Sequence, residues 1–182
     1  SDIIKRAGGY KKSAYIFGSA LYRENVKLLE KKYADDAYDN LIKYLASDPK
    51  VLNSQSASLP LILSEIKNFK PSGRVSAEFR LERLSDDRTK DIYLSDKDKI
   101  FIPKFNSSVF IFGEVSNPGA LTFADGEQVD FYIKNSGGIT EYAADEYIYI
   151  VSPDGLTQKI KQNRLSKFID SGYEIYPGSV IY

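Results

Sequence analysis

The chain has 182 residues, of which 42% are hydrophobic and 13% aromatic, enough to build the core of one large or two small globular domains. Its 25 basic and 25 acidic residues cancel, so no net charge favours nucleic acid or an acidic membrane surface as a partner. Cysteine and histidine are absent, and without them the usual nucleophile–base dyads and transition-metal sites cannot be built within this chain.

The first predicted element is a short helix that ends at a pair of glycines. Asp2 and two isoleucines lead into Gly8-Gly9, the order typical of a helix stopped by glycine in a left-handed conformation. The same signal returns where Asp130 and an apolar cluster lead into Gly137-Gly138. A phosphate-binding loop has the opposite order, with the strand before the glycines and the helix after them. The repeat therefore predicts two related modules and disfavours a nucleotide site.

A strand and a long helix are predicted next. Ser13 to Leu21 is rich in Tyr, Ile and Phe and predicts the strand. A long amphipathic helix is then predicted to end at Ser47-Asp48-Pro49, with a stripe of apolar residues at helical spacing: Tyr22, Val26, Leu29, Tyr33, Ala37, Leu41 and Leu45. Its other face carries oppositely charged i,i+4 pairs, which we interpret as a solvated face; packing on a neighbouring subunit is the alternative.

The first half closes with a short helix and two strands. Ser58 as cap and Pro60 near the first turn predict a helix that runs to Phe69. Alternating apolar residues at 75–82 predict a half-buried strand, and residues 100–103 predict another. Between them Ser95-Asp96-Lys97-Asp98 has the composition of a polar turn; it lacks the length and distal Glu of a calcium loop, so we assign no metal.

The second half opens with a predicted β-hairpin. Val109 to Val115 predicts the first strand, and Asn117-Pro118-Gly119 is a strong turn signal because Pro fixes one dihedral angle and Gly accepts the positive one that follows. After the second glycine-stopped helix come a predicted strand at Tyr147 to Val151 and a helix from Asn163 to Ile169. A hairpin, a crossing helix and further strands predict a mixed α+β sheet of the β-grasp kind.

These motifs, taken in order, resemble the SLBB (soluble ligand-binding β-grasp) domains of outer-membrane polysaccharide export proteins. The sequence VFIFGEVSNPG at Val109–Gly119 is similar to the family's opening hairpin, Ile133 to Gly138 to its helix end, and Tyr176 to Tyr182 to its closing strand. The first half is similar to a version with a longer insert, through the segments at residues 14–26, 72–79 and 91–103. Lys97 stands where the closing turn usually has Gly, and Ser179 where it has Asp.

The resemblance implies an α+β fold of two β-grasp-like SLBB modules. The first, residues 1–104, would be incomplete at its start and carry a helical insertion at about residues 22–70. The second, residues 105–182, would stop within its final strand, as expected of a piece of a longer protein. The resemblance gives a structural role to ten motif residues: Gly8, Gly9, Gly113, Asn117, Pro118, Gly119, Gly137, Gly138, Pro177 and Gly178.

For function, the resemblance implies a periplasmic part of a protein that is associated with the outer membrane and exports capsule or a related polysaccharide. Its modules would assemble a conduit through which the polymer passes. The expected partners are further copies of the full-length protein, the exported polysaccharide and an inner-membrane export or co-polymerase component. Nucleic acid, a cofactor and catalytic residues are not expected.

Two other classes of function stay open at this point. The 14 tyrosines suit a carbohydrate-binding or adaptor module, although Tyr147 and Tyr149, two apart on one strand face, are more typical of ordinary sheet packing. Asp125 with Glu127, or Asp86 with Asp87, offers a carboxylate pair for glycoside cleavage. Adjacent acids in polar turns are more often a solvated loop, so the enzyme hypothesis ranks third.

Overall fold

A computed structural model describes residues 1–47, 58–143, 147–161 and 173–182. The α-helices in these ranges are α1 (Asp2–Arg6), α2 (Glu24–Ser47), α3 (Ser58–Lys67), α4 (Leu81–Asp86) and α5 (Val129–Asn135). The strands are β1 (Ala20–Tyr22), β2 (Arg74–Val75), β3 (Lys99–Phe101), β4 (Ser108–Ile111), β5 (Gly119–Thr122), β6 (Tyr147–Val151), β7 (Thr157–Lys161) and β8 (Val180–Ile181). The helix predicted at Asn163 to Ile169 lies outside the described residues. Within the described ranges, no helix has the length and apolar character needed to cross a bilayer.

The chain forms two compact units, each assembled from separate segments. Residues 1–19, 78–91 and 102–182 form one, which we call the five-stranded unit after its sheet. Residues 20–77 and 92–101 form the other, the three-stranded unit. The predicted α+β class is confirmed. The module boundary at residue 104 stays a prediction, because the units are defined by spatial contacts and the modules by a sequence repeat.

The five-stranded sheet has the strand order β5-β4-β8-β6-β7. Strands β4 and β5 form the predicted antiparallel hairpin. The last strand, β8, lies in the middle of the sheet, where it pairs in parallel with β4 and antiparallel with β6. The first and last strands of this part of the chain are therefore neighbours, and in the described residues α5 lies between them in sequence.

The core of the five-stranded unit lies between its sheet and α5. Strands β4, β6 and β8 contribute the buried residues Val109, Ile111, Ile148, Ile150 and Ile181, and α5 contributes Val129 and Tyr132. Burying each of these side chains stabilises the fold by about 1.5–3 kcal/mol. The hydroxyl of Tyr132 accepts a hydrogen bond from the N–H of Ala124 at 3.0 Å and donates one to its carbonyl at 3.1 Å, so this buried polar group is paired.

The three-stranded sheet has the order β2-β1-β3, with both pairings antiparallel. The strand predicted at Ser13 to Leu21 is wrong in its extent, because residues 16–18 form a 3-10 turn and the strand begins at Ala20. At Gly18 an added Cβ would lie 3.0 Å from the ring of Tyr15, so this turn leaves little room for a side chain. How far a strand extends in this segment depends on tertiary contacts, which the pattern of residue types in the sequence does not reveal.

The strand predicted at residues 75–82 is also wrong over most of its length. Strand β2 ends at Val75, and α4 begins at Leu81. Before α4, the carboxylate of Glu78 accepts hydrogen bonds from the backbone N–H groups of Phe79, at 3.0 Å, and Arg80, at 2.9 Å. A side chain that satisfies two successive backbone donors turns the chain away from a sheet.

The long helix α2 is confirmed, but its buried stripe is shifted from the predicted one. Leu29 and Tyr33, predicted to pack, are 47% and 65% exposed. The inward-facing positions are instead Val26, Glu30, Ala34, Tyr38, Leu41 and Leu45. Glu30 belongs to this stripe because its carboxylate accepts hydrogen bonds from the N–H groups of Ser72 and Gly73, both at 2.8 Å. A search for apolar residues at helical spacing does not find this buried stripe of α2, because the stripe contains a carboxylate.

Both glycine-stopped helix ends are confirmed, with the same hydrogen bonds. Gly9 donates from its N–H to the carbonyl of Ile4 at 2.9 Å, and Gly138 donates to that of Ile133 at 3.0 Å. The first glycine of each pair donates from its N–H to the carbonyl of the residue that directly follows that isoleucine. These are the two bonds of a Schellman motif, so the sequence repeat is a structural repeat.

The two closing turns are also alike, despite the unusual residues in them. The N–H of Ser95 donates to the carboxylate of Asp98 at 2.9 Å, and the N–H of Tyr176 donates to the hydroxyl of Ser179 at 3.0 Å. Ser therefore supplies the acceptor that Asp supplies in the other copy. Lys97 takes the left-handed conformation that Gly takes in the second turn, with φ at +67°.

Glu78 is an acidic residue whose contribution to the stability of the five-stranded unit depends on pH. The guanidinium of Arg80 donates to both carboxylate oxygens, each at 2.9 Å. This pairing, assisted by the two backbone N–H bonds, lowers the pKa of Glu78 to about 2. Because that value lies below the pKa of an unfolded glutamate, ionised Glu78 stabilises the fold above about pH 4.5, and this contribution is lost as the pH falls towards 2.

We expect Glu78→Gln to lower the free energy of unfolding by about 1 kcal/mol near pH 7, the upper range for a largely surface ion pair. The difference from the parent chain should shrink as the pH falls from 4.5 to 2. Urea unfolding at a series of pH values measures it. Glu82→Gln removes an exposed acid from the same segment and serves as the control. A difference between parent and Glu78→Gln that stays constant down to pH 2 would contradict this role.

Candidate functional site

The turn of the β4–β5 hairpin is bonded to the segment that follows α5. The N–H of Ser116 donates to the carbonyl of Gly138 at 3.0 Å, and the N–H of Asn117 donates to that of Ser136 at 2.9 Å. Next to these two bonds, the N–H of Thr140 donates to the carbonyl of Glu114 at 2.9 Å. Two motifs that are about twenty residues apart in the chain thus form one cluster.

Gly137 is the residue of this cluster that has no room for a side chain. Its φ is +83°, and an added Cβ would lie 2.8 Å from Nδ2 of Asn117 and 2.9 Å from Cβ of Ser116. Gly138 has nearly the same φ, +84°, but no atom lies within 4 Å of its added Cβ. Gly8 and Gly9 of the first copy are open in the same way. Close packing against the hairpin is therefore particular to Gly137.

The remaining motif residues lie in turns next to the strand ends. Gly113 has a φ of +87°, and its added Cβ would lie 3.5 Å from the ring of Tyr182. Pro118 is exposed in the hairpin turn, directly before Gly119, which begins β5. Pro177 and Gly178 form the closing turn before β8, where Gly178 has a φ of +90°.

A cavity of about 340 Å³ opens beside the hairpin turn, within the five-stranded unit. Its walls come from the ends of β4, β6 and β8, from α5, from the turn after β4 and from the loop after Gly138. The lining residues are Ile111, Phe112, Gly113, Glu114, Val115, Ile133, Ile139, Ala143, Tyr147, Ile148, Tyr149, Ile181 and Tyr182. This lining is mostly aliphatic and aromatic, which is typical of binding cavities.

Aromatic side chains lie at the mouth of this cavity. Phe112 and Tyr182 are 47% and 66% exposed. Tyr149 and Tyr182 exchange two backbone hydrogen bonds of 2.8 Å, which holds the two rings on neighbouring strands. The ammonium group of Lys159 lies 3.5 Å from the ring centroid of Tyr147, a cation–π contact that covers one face of that ring.

Glu114 is the charged side chain among the described lining residues. Its carboxylate accepts a hydrogen bond from the hydroxyl of Thr140 at 2.9 Å. Exposed aromatic rings next to one polar acceptor suit the apolar face and hydroxyl groups of a sugar ring, or an apolar side chain of a protein partner. The cavity thus offers a binding surface.

Among the carboxylates considered for catalysis or metal binding, Asp87 and Asp98 have structural partners. Asp87 accepts hydrogen bonds from the N–H and hydroxyl of Thr89, at 3.1 and 2.6 Å, and these bonds lower its pKa. Asp98 accepts from Ser95 and lies 3.1 Å from Nε of Arg23. Asp125 and Glu127 are exposed in a turn. Over the described ranges no cluster of three or more acidic side chains is placed to hold a metal ion.

A second aromatic cluster in the five-stranded unit was not predicted. The ring of Tyr15 lies 5.4 Å from that of Phe105, and the ring of Phe17 lies 4.6 Å from that of Tyr176. Burial raises the pKa of Tyr15 to about 12. The aromatic content of residues 15–17 was visible in the sequence, but their contact with Tyr176 joins positions about 160 residues apart, for which a single sequence carries no signal.

Comparison with known proteins agrees with the motifs. The family model of the SLBB domain matches residues 108–161, the segment from β4 to β7. The resemblance to the SLBB domains of capsule export proteins is thereby confirmed. Two curated proteins, both named polysialic acid transport protein KpsD and both from Escherichia coli, are 31% identical to this chain over 72 residues. That match covers 40% of this chain and 13% of each relative, so the chain corresponds to a small part of their length.

We expect Gly137→Ala to destabilise the fold more than Gly138→Ala. Both substitutions place a side chain at positive φ, which costs about 1–2 kcal/mol. Gly137→Ala must also displace Ser116 and Asn117, which adds about 1–3 kcal/mol, the range for overpacking. Thermal or urea unfolding of the two variants measures the difference, and Gly138→Ala is the matched control. Equal losses of stability would show that the contact with the hairpin turn has no energetic weight.

Proposed function

We propose that this chain is a periplasmic part of a polysaccharide export protein, in which SLBB modules assemble a conduit and let the polymer pass. One observation carries this proposal: the segment matched by the SLBB domain model, residues 108–161, contains the hairpin and helix-end cluster around Gly137. The similarity to proteins named for polysialic acid transport supports it. The protein would act by binding and assembly, without catalysis.

The proposed architecture is two β-grasp modules, the first of them partial and interrupted by α2 and α3. The two sheets support it, because each contains a strand paired antiparallel on both sides, β1 in one and β6 in the other. The matching helix ends at Gly9 and Gly138 support it further.

The proposed location is the periplasm, in a protein associated with the outer membrane. The proposed partners are other copies of the full-length protein, the exported polymer and an inner-membrane export or co-polymerase component. Exposed apolar side chains support an assembling role; on α2 they are Leu28, Leu29, Tyr33, Ile42 and Tyr44. A net charge of zero does not oppose self-association.

Deletion in living cells tests this function. In bacteria that make the parent protein, an in-frame deletion of residues 1–182 should remove polysaccharide from the cell surface while polymer accumulates inside the envelope. Restoring the unchanged segment should restore export. The export proposal fails if surface polysaccharide is unchanged, or if it disappears without internal accumulation, which would indicate a defect in synthesis.

A second candidate function is saccharide binding by the cavity, and its aromatic mouth favours it. Phe112 and Tyr182 present exposed rings beside the Glu114 carboxylate, an arrangement that pairs ring stacking with a hydrogen-bond acceptor. On this view the five-stranded unit contacts the polymer directly.

Titration with oligosaccharides cut from the exported polymer tests this binding. We expect the aromatic resonances of Tyr147, Tyr149 and Tyr182 to shift, and Phe112→Ala to weaken the affinity about 10-fold, which corresponds to about 1.4 kcal/mol. Tyr93→Ala is the control, because Tyr93 is 94% exposed and lies in the three-stranded unit. Equal shifts at Tyr93, or an unchanged affinity of Phe112→Ala, would exclude the cavity as the sugar site.

A further inference from the structure

The cavity beside the hairpin turn is lined by aromatic rings together with a single carboxylate. The rings belong to Phe112, Tyr147, Tyr149 and Tyr182, and the carboxylate belongs to Glu114, the one charged side chain among the described lining residues. An aromatic ring carries partial negative charge on its faces, so it attracts cations and repels anions. The rings and the carboxylate therefore favour the same kind of ligand group, one with a positive charge.

The chain holds Glu114 next to one of these rings. Glu114 directly follows Gly113, whose added Cβ would lie 3.5 Å from the ring of Tyr182. The hydroxyl of Thr140 donates to the carboxylate of Glu114 at 2.9 Å, and the N–H of Thr140 donates to its backbone carbonyl at 2.9 Å. These two bonds restrict the positions of the carboxylate. Because an ionised carboxylate has about four acceptor sites, it keeps acceptor capacity for a ligand.

Two rings of the cavity already contact a cation within the chain. The ammonium group of Lys159 lies 3.5 Å from the ring centroid of Tyr147 and 5.8 Å from that of Tyr149. Both distances are within the range of about 6 Å over which a cation is attracted to an aromatic face. Lys159 does not line the cavity, whereas both rings do. These rings therefore accept a positive charge and still present surface to a ligand in the cavity.

The charge of Lys159 does not cancel that of Glu114. Glu114 follows β4 and Lys159 lies on β7, three strand spacings away in the order β4-β8-β6-β7. At about 4.8 Å per spacing, the two backbone positions are about 14 Å apart. This distance exceeds the Debye length of about 8 Å at physiological ionic strength, so exposed charges at the two positions interact weakly. A cation in contact with Glu114 is attracted by the carboxylate more than it is repelled by Lys159.

We propose that the cavity binds a saccharide through a protonated amino group, with the ammonium at the Glu114 carboxylate and the apolar face of the sugar ring on Phe112 and Tyr182. The proposal rests on the second candidate function, saccharide binding by the cavity, and adds the class of sugar, one with a free amine. An ammonium group forms a charge-assisted hydrogen bond with a carboxylate. A sugar carboxylate would be repelled by Glu114 and by the ring faces.

Two matched oligosaccharides test the proposal on the 182-residue chain. Calorimetric titration at about pH 6 compares the chitosan trisaccharide, whose amines are charged, with the chitin trisaccharide, whose amines are acetylated and neutral. We expect the chitosan trisaccharide to bind about 10-fold more tightly, as one charge-assisted hydrogen bond allows. Glu114→Gln keeps an acceptor for Thr140 but removes the charge, and it should abolish this preference. Glu127→Gln removes an exposed acid that does not line the cavity, so it should keep the preference.

Lys159→Ala separates a cavity that prefers cations from one that prefers anions. If the cavity prefers cations, this substitution frees a face of the Tyr147 ring and removes a positive charge, so the affinity for the chitosan trisaccharide should stay equal or rise. If the cavity prefers anions, Lys159→Ala should weaken the binding of the galacturonic acid trisaccharide, and Glu114→Gln should strengthen it. The second pair of results would overturn the proposal.

The remaining outcomes separate a wrong sugar class from an absence of sugar binding. Equal affinities for the chitosan and chitin trisaccharides, unchanged by Glu114→Gln, would leave the cavity a sugar site but refute the preference for an amine. If neither trisaccharide binds to chains whose circular dichroism is unchanged, the proposal is also refuted, and oligosaccharides from the exported polymer decide separately whether the cavity binds sugar. If N-acetyl-lysine amide binds as tightly as the chitosan trisaccharide, with the same dependence on Glu114, a protein side chain supplies the ammonium and the saccharide source is wrong.

Discussion

The parallel pairing of β4 with β8 is the interaction on which the five-stranded unit depends. It joins strands about seventy residues apart in the chain and places Ile111 against Ile181 in the core. The intervening chain must close over this pair, which positions α5 on the sheet. Once β4 is fixed, its hairpin turn lies against the end of α5, where Gly137 leaves room for Ser116 and Asn117. The cavity beside that turn follows from the same geometry.

The polar groups around this frame mostly shape the backbone. The carboxylates of Glu78, Asp87 and Asp98 each accept hydrogen bonds that shape a turn or a helix start. The cavity has rings and one carboxylate, Glu114, without a neighbouring base to activate a nucleophile in the described lining. Chemistry of this kind suits contact with a polymer or a protein.

The three-stranded unit has a smaller sheet than the five-stranded unit. Its strand β1 has a neighbour on each side, and among the described residues β3 ends this sheet, whereas β8 pairs with β4 in the other. Ile100 stays half-buried for this reason, while Ile181 is covered. Two helices, α2 and α3, lie between β1 and β2 in the chain, and the two strands still pair antiparallel. Its helix α2 packs through Glu30 as well as through apolar residues.

The sequence by itself determined the features that short stretches of backbone control. Glycine pairs after an apolar run stop α1 and α5, Asn117-Pro118-Gly119 turns the hairpin, and the order of these motifs identifies the SLBB resemblance. Only the tertiary structure decided how far each strand extends, why Glu30 lies on the packed side of α2, and that Lys97 takes a left-handed conformation. The cavity and the contact between Phe17 and Tyr176 belong to the same group. The physical reason is distance along the chain: helix stops and turns are settled by neighbouring residues, whereas strand ends, buried stripes and cavities depend on partners brought together by folding.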